Sequence, residues 1–241
     1  MPDFQTMQFS VDGLRLVGSL HLPAARNPPV VIGCHGLLAN RESPKQTRLA
    51  ALCNAHGIAY FRFDHRGCGD SQGRFAEVTS LSARCRDLYQ AMRLMETHPR
   101  TGPLLCLFGS SFGGAVALGV AARQSVPAIV TFAAPIYSLP DLPEALQQLS
   151  NDVDSSPDLL ENLKFDLRPC LAAVSNILIV HGDCDDVVRP AHAHELLARC
   201  SSPKKLQLQT GGDHPMSSPE HQRQFAASFI DWVSAAAKRS L

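Results

Sequence analysis

Leu104-Leu105-Cys106-Leu107-Phe108-Gly109-Ser110-Ser111-Phe112-Gly113-Gly114-Ala115-Val116-Ala117 passes from an apolar run, through a glycine-flanked corner, into a run of small residues. This order predicts a buried strand, a sharp turn and a helix. Gly109, Ser111 and Gly113 fit G-x-S-x-G, in which the serine occupies a strained corner and a Cβ at either flanking position would collide with adjoining backbone. The corner thrusts Ser111 out at the top of the sheet. The helix that starts there turns its free N–H groups and positive dipole end toward any negative charge developing beside the serine. One turn can therefore supply a nucleophile and half of an oxyanion hole.

Upstream, Met7–Val11 and Leu14–Leu22 are joined by Asp12-Gly13, a strong two-residue hairpin signal. Val30–Cys34 is a β-branched run with little alternation, as suits a strand buried on both faces, and it ends in His35-Gly36-Leu37-Leu38. Helical spacing over Gln46–His56, closed by Gly57, leads to a strand over Ile58–Asp64. The glycine-punctuated loop Asp64–Ser71 follows and reads as a structural turn rather than a chemical site. Leu81–Met95 has helical periodicity and ends ahead of Pro99. Downstream, Ala128–Ala134 and Ile177–Val180 are further buried strands. A helix over Pro190–Cys200, a strand over Lys205–Thr210 and a final helix over Glu220–Ala237 complete the pattern. Alternating strands and helices predict an α/β fold, with a mostly parallel central sheet and helices on both faces.

With 241 residues, 45% of them hydrophobic, the chain can bury a full core as one domain, residues 1–241. The segment 135–176 differs from the rest, with prolines at 135, 140, 143, 157 and 169, scattered acidic residues and only short amphipathic pieces. It is too long for an ordinary connection and is expected to form a small cap insertion that includes one core packing helix near Leu167–Val174. Lys plus Arg and Asp plus Glu both total 22, so no basic field exists to gather nucleic acid or anionic lipid. Neither a leader-like amino terminus nor an apolar run of roughly 18 residues is present, which argues against membrane insertion and for a soluble, cytoplasmic protein. The eight cysteines form no C-x-x-C pairs and are expected to be reduced.

Four motifs in order carry a resemblance: His35-Gly36 after an early strand; Asp64-x-Arg66-Gly67-x-Gly69-x-Ser71 after the next; Gly109–Gly113; and the late loops His181-Gly182-x-x-Asp185 and Gly211-x-x-His214. Through them nearly the whole chain resembles the α/β-hydrolase fold serine hydrolases, in particular bacterial feruloyl and cinnamoyl esterases, monoacylglycerol lipases and serine aminopeptidase-like (S33-type) enzymes. The resemblance implies a catalytic triad of Ser111 as nucleophile, Asp185 as acid and His214 as base, in the order that this fold uses. A serine hydroxyl needs an imidazole to take its proton, and the imidazole needs a carboxylate to hold its tautomer. Asp183, Asp186 and Asp213 compete for the acid role, and the register His-Gly-x-x-Asp-x-Val-Val selects Asp185. His35 is expected to shape the oxyanion loop. The oxyanion hole would be the backbone N–H groups of Leu37 and Phe112. Cys34 and Cys184 flank these loops but do not occupy the elbow.

The expected activity is hydrolysis of carboxylic esters of short to medium or aromatic acyl groups through a seryl acyl-enzyme, with a small-molecule ester as the partner and neither metal nor organic cofactor required. Cap residues Ile136, Tyr137, Leu139, Leu142, Leu146, Leu149 and Leu160 would contact substrate. Thioesterase, peptidase and monoacylglycerol lipase activities share the machinery, and a non-catalytic small-molecule sensor could share the fold. Oligomeric state is not legible.

Overall fold

The computed structural model describes residues 3–138 and 157–239. Eight strands form one sheet in the order β1-β2-β4-β3-β5-β6-β7-β8. These are β1 (Asp3–Val11), β2 (Leu14–Leu22), β3 (Val30–Cys34), β4 (Ala59–Phe63), β5 (Leu104–Ser110), β6 (Ile129–Phe132), β7 (Ile177–Gly182) and β8 (Lys204–Gln209). β1 and β2 pair antiparallel, β2 joins β4 antiparallel, and every pairing from β4 to β8 is parallel. Both turn residues of the β1–β2 hairpin have positive φ, 51° at Asp12 and 80° at Gly13, the geometry for which Asp-Gly is suited.

The helices are α1 (Pro44–Ala55), α2 (Phe75–Val78), α3 (Leu81–Glu96), α4 (Phe112–Ala121), α5 (Pro157–Asn162), α6 (Ala191–Arg199) and α7 (Pro219–Arg239). On one face, Leu49, Ala50 and Cys53 of α1 pack with Phe225, Phe229 and Val233 of α7 over Val31, Phe108 and Val130. On the other, Leu88, Ala91 and Met92 of α3 and Val116 and Val120 of α4 cover Ile32, Phe61 and Leu107. Strands β3, β4, β6 and β7 are buried along their whole length, as predominantly apolar strands between two helical layers are. No helix among the described residues is long and apolar enough to cross a membrane.

Within the 135–176 segment, Leu139, Leu142, Leu146 and Leu149 lie outside the described residues. Ile136 is fully buried in the core around α4 and α6, and Leu160 packs against the α3 side. A 3-10 helix over Arg168–Ala173 stands where a packing helix was expected; Leu167, Leu171 and Val174 bury against Ile177 and Leu196. The proline at its second position and six-residue length suit a tight turn more than an α-helix.

The strand order places the loops that carry the candidate residues. From β3 the chain first moves outward to β4 and then returns to add β5 on the other side of β3. After these two strands the chain continues onto opposite faces of the sheet, to α1 from β3 and to α4 from β5, and such a switch point at the carboxyl ends of the strands is where open α/β sheets bind ligands. Leu37 follows β3 and Ser111 follows β5.

Candidate active site

Ser111 lies between β5 and α4 at φ 53° and ψ −126°, a conformation that a side-chain-bearing residue adopts only when its surroundings over-determine it. Its N–H donates to Phe132 O at 2.7 Å and its carbonyl accepts from Gly114 N at 2.8 Å, so both faces of the corner are tied down. The flanking glycines are required by contact: a Cβ on Gly109 would lie 2.2 Å from Gly113 O, and one on Gly113 would lie 2.4 Å from Cys34 O.

Two later loops bring up the other expected residues. Asp185, in the loop after β7, and His214, in the loop after β8, are both buried. His214 Nδ1 lies 2.8 Å from Asp185 Oδ2 and 3.1 Å from Oδ1, while Nε2 lies 3.2 Å from Ser111 Oγ. A carboxylate only accepts, so Nδ1 carries the hydrogen and, in the neutral ring, Nε2 is left to accept from the serine hydroxyl. Asp185 also accepts from the backbone N–H groups of Val187 and Val188, at 3.0 and 2.8 Å. Burial opposes its ionisation, but the donors from His181 and His214, with Val188 N–H, outweigh that and hold its carboxyl well below the usual range.

Asp183 instead accepts from Gly211 N at 2.6 Å, tying the acid loop to the histidine loop, and Asp213 accepts from Ser217 N at 2.7 Å. Asp186 is exposed. Cys34 is buried, its thiol pushed far up by desolvation, and Cys184 is exposed on the loop.

Leu37 lies in the loop after β3 and lines the groove, and Phe112 takes the first position of α4, where a helix leaves its N–H without an intrahelical partner. His35 is buried with its Nε2 accepting from His65 N at 3.0 Å, so Nδ1 bears the hydrogen and donates to Gly36 O at 2.8 Å. Burial, then the neighbouring His65, push its pKa well below the usual imidazole value and keep it neutral. The Asp64–Ser71 loop is a brace: Asp64 accepts from Arg41 and Asp70 backbone N–H groups, and Ser71 Oγ donates to Asp64 O while accepting from Val17 N.

Three further side chains around these loops were given no role by the sequence. His181 Nε2 donates to Val188 O at 2.7 Å and faces Asp185 Oδ2 at 3.3 Å; its spacing of four from Asp185 was the available signal. Lys45, at the start of α1, donates to Pro215 O at 2.8 Å beside the histidine loop. Burial lowers its pKa to about 8, against the pull of Asp213 and Asp185. Arg84, from the middle of α3, reaches the loop after β3.

A groove of about 660 Å³ opens onto Ser111 and His214. Its walls are largely apolar, with Leu38, Leu49, Leu52, Met216 and Phe225 among them. Apart from His214, the ionisable side chains lining it among the described residues are Lys45 and Arg48. Among the described residues no cluster of three His, Cys, Asp or Glu side chains could hold a metal ion.

The family model described as serine aminopeptidase, S33, matches residues 25–156. An uncharacterized protein of Mycobacterium tuberculosis is 28% identical over 211 residues, covering 84% of this chain and 69% of its own length. Among solved structures, the α/β hydrolase GrgF from a Penicillium species superimposes with a TM-score of 0.81 at 19% identity, over 97% of this chain and 99% of its own. Est1E from Butyrivibrio proteoclasticus, solved with ferulic acid bound, gives 0.78 at 19% identity, over 95% and 99%.

Proposed function

This chain belongs to the serine aminopeptidase S33 family of α/β hydrolases, and on that premise we propose that it hydrolyses carboxylic esters of short to medium or aromatic acyl groups through a seryl acyl-enzyme. Ser111 is the nucleophile, His214 the base and Asp185 the acid. The observation that carries the reading is the double engagement of the His214 imidazole, 2.8 Å from Asp185 on one nitrogen and 3.2 Å from Ser111 Oγ on the other. Nε2 takes the serine proton as Oγ attacks the carbonyl, and Asp185 stabilises the imidazolium so formed. The backbone amides of Leu37 and Phe112 receive the oxyanion. Collapse expels the alcohol, protonated by His214, and water activated by the same ring then releases the acid.

The groove walls favour an ester over a peptide with a free amino terminus. An ammonium group would need a carboxylate to meet it, whereas the charged side chains lining the groove among the described residues, Lys45 and Arg48, are cations. Like charges across a desolvated contact disfavour the wrong partner.

Titration with a fluorophosphonate probe tests the assignment and separates an enzyme from a sensor. The wild-type protein and Ser110→Ala should label stoichiometrically and Ser111→Ala should not; labelling of Ser111→Ala at the wild-type rate would remove Ser111 from its role. A panel of p-nitrophenyl esters, an aromatic acyl ester, a thioester and an aminoacyl amide then fixes the bond cleaved.

A further inference from the structure

Arg84 is fully buried, one of the largest side chains in the interior with essentially no exposure. A buried cation is ordinarily matched by a carboxylate, since the cost of stripping its water is high. Among the described residues no carboxylate forms an ion pair with Arg84, and its Nε has no hydrogen-bond partner. Its remaining nitrogens bond the loop after β3 and Cys68. Nη1 donates to Gly36 O at 3.3 Å; Nη2 donates to Leu37 O at 2.9 Å and to Cys68 Sγ at 3.1 Å. The guanidinium also lies over the Phe112 ring, 5.4 Å from its centroid, and 5.8 Å from that of Phe75. Both residues whose amides are read as oxyanion donors therefore touch the same cation.

The Gly36–Leu37 peptide is trans. In a planar trans peptide C=O and N–H point in opposite directions, so fixing Gly36 O against Arg84 turns Leu37 N–H to the far side. Gly36 and Leu37 line the groove together with Ser111, and a Cβ on Gly36 would lie 3.5 Å from Ser111 Cβ. Gly36 O accepts from Ala39 N at 3.3 Å and His35 Nδ1 at 2.8 Å as well. Three donors on one carbonyl, one of them a cation, draw electron density from the peptide and make its N–H a stronger donor, because linked hydrogen bonds polarise one another.

We infer that Arg84 is a positioning residue of the oxyanion hole: its guanidinium orients the Gly36–Leu37 peptide and polarises it, so that Leu37 N–H binds developing negative charge more strongly than an ordinary amide does. The inference rests on the reading of Ser111 as nucleophile and Leu37 as an oxyanion donor. It assigns Arg84 no contact with substrate, so its removal acts on the transition state and leaves ground-state binding alone.

Arg84→Met and Arg84→Lys test this, with folding checked by thermal melting. In Arg84→Met kcat should fall about 10- to 100-fold, less than the roughly 100- to 1,000-fold loss that accompanies removal of a donor outright, while KM stays within a few-fold. Arg84→Lys, which keeps a cation but not the two-pronged grip, should recover part of the loss. Affinity for an alkyl trifluoromethyl ketone, whose hemiketal oxyanion would occupy the hole, should drop by the same factor as kcat/KM, with product-acid affinity unchanged. Independently of turnover, the Leu37 amide proton resonance should move upfield in both variants. A folded Arg84→Met with wild-type kcat, a loss confined to KM, or an unmoved Leu37 resonance in either variant would overturn the inference. Failure of the underlying reading shows separately, as a wild-type protein that the fluorophosphonate probe does not label at Ser111.

Discussion

Gly113 and Cys34 meet backbone to backbone: a Cβ on Gly113 would stand 2.4 Å from the Cys34 carbonyl oxygen and 2.5 Å from that of His35. The first turn of α4 and the loop after β3 are thus in direct contact, with no side chain between them. Gly113→Ala would have to separate them, and overpacking of this kind costs about 1–3 kcal/mol. It would also part the two amides read as the oxyanion hole. The melting temperature should drop by several degrees and kcat/KM by about 100-fold or more, the scale of one lost oxyanion donor. A variant that melts early but turns over at the wild-type rate would show that the contact serves stability alone.

Asp185→Asn should cost far more activity than Asp183→Asn or Asp186→Asn. An amide at 185 can present its NH₂ to Nδ1 and select the wrong tautomer, and it cannot stabilise imidazolium; the loss in the well-studied triad is about 10⁴-fold. Asp183 bonds Gly211 N–H and Asp186 is exposed, so their amide variants should stay within about 10-fold of wild type, well inside that loss. Comparing kcat/KM across the three variants decides it, and equal mild losses would place the acid elsewhere.

Stability should fall as pH drops below the ordinary histidine range. His35, His65 and His192 are buried, and desolvation, the largest cause at each and opposed at His65 by its hydrogen bond to Asp87, lowers their pKa values: well below 6.5 for His35 and to about 4 for His65 and His192. A base depressed in the native state binds its proton more readily when unfolded. Between pH 6.5 and about 4 the unfolded chain therefore holds more protons, and folding free energy is lost at roughly 1.4 kcal/mol per pH unit for each. Above pH 6.5 these groups contribute no slope. Urea midpoints measured from pH 7.5 to 4.5 should show this; a midpoint unchanged between pH 7 and 5 would contradict it.

Acyl preference should peak at short or medium length. The described residues enclose the groove beside Ser111 only in part, and the cap expected over it is small, so methylenes lying beyond its apolar walls stay wet and forgo their roughly 0.8 kcal/mol each. On p-nitrophenyl esters kcat/KM is expected to rise with chain length, then level or fall, with aromatic acyl groups accepted. Steady gains out to palmitoyl would instead mean that a longer apolar track is covered when substrate is bound.

Much of this was legible because it is local. The Asp12-Gly13 hairpin, the buried runs of β3, β4, β6 and β7, and the Gly109–Gly113 corner each follow from constraints acting over a few residues: allowed φ, alternation, or the space a Cβ would need. Most element ends moved by a residue or two, β1 began four residues earlier than Met7, and the Pro169 segment became a 3-10 turn, since packing sets where an element stops. The short α2 gave no periodic signal, being only one turn long.

The amino-acid sequence by itself determined the order of strands and helices, the strained corner at Ser111, and the loops that carry Asp185 and His214. Tertiary structure alone decided what stands behind those loops. Arg84, Asp87, Leu88, Ala91 and Met95 all fall on the buried stripe of α3, which periodicity can reveal; that Asp87 pairs with Arg66 while Arg84 meets carbonyls 47 and 48 residues upstream is beyond it. Periodicity says which face of a helix is covered. The covering partner depends on which strand lies beneath and in what register, and those are settled by long-range packing of the whole sheet.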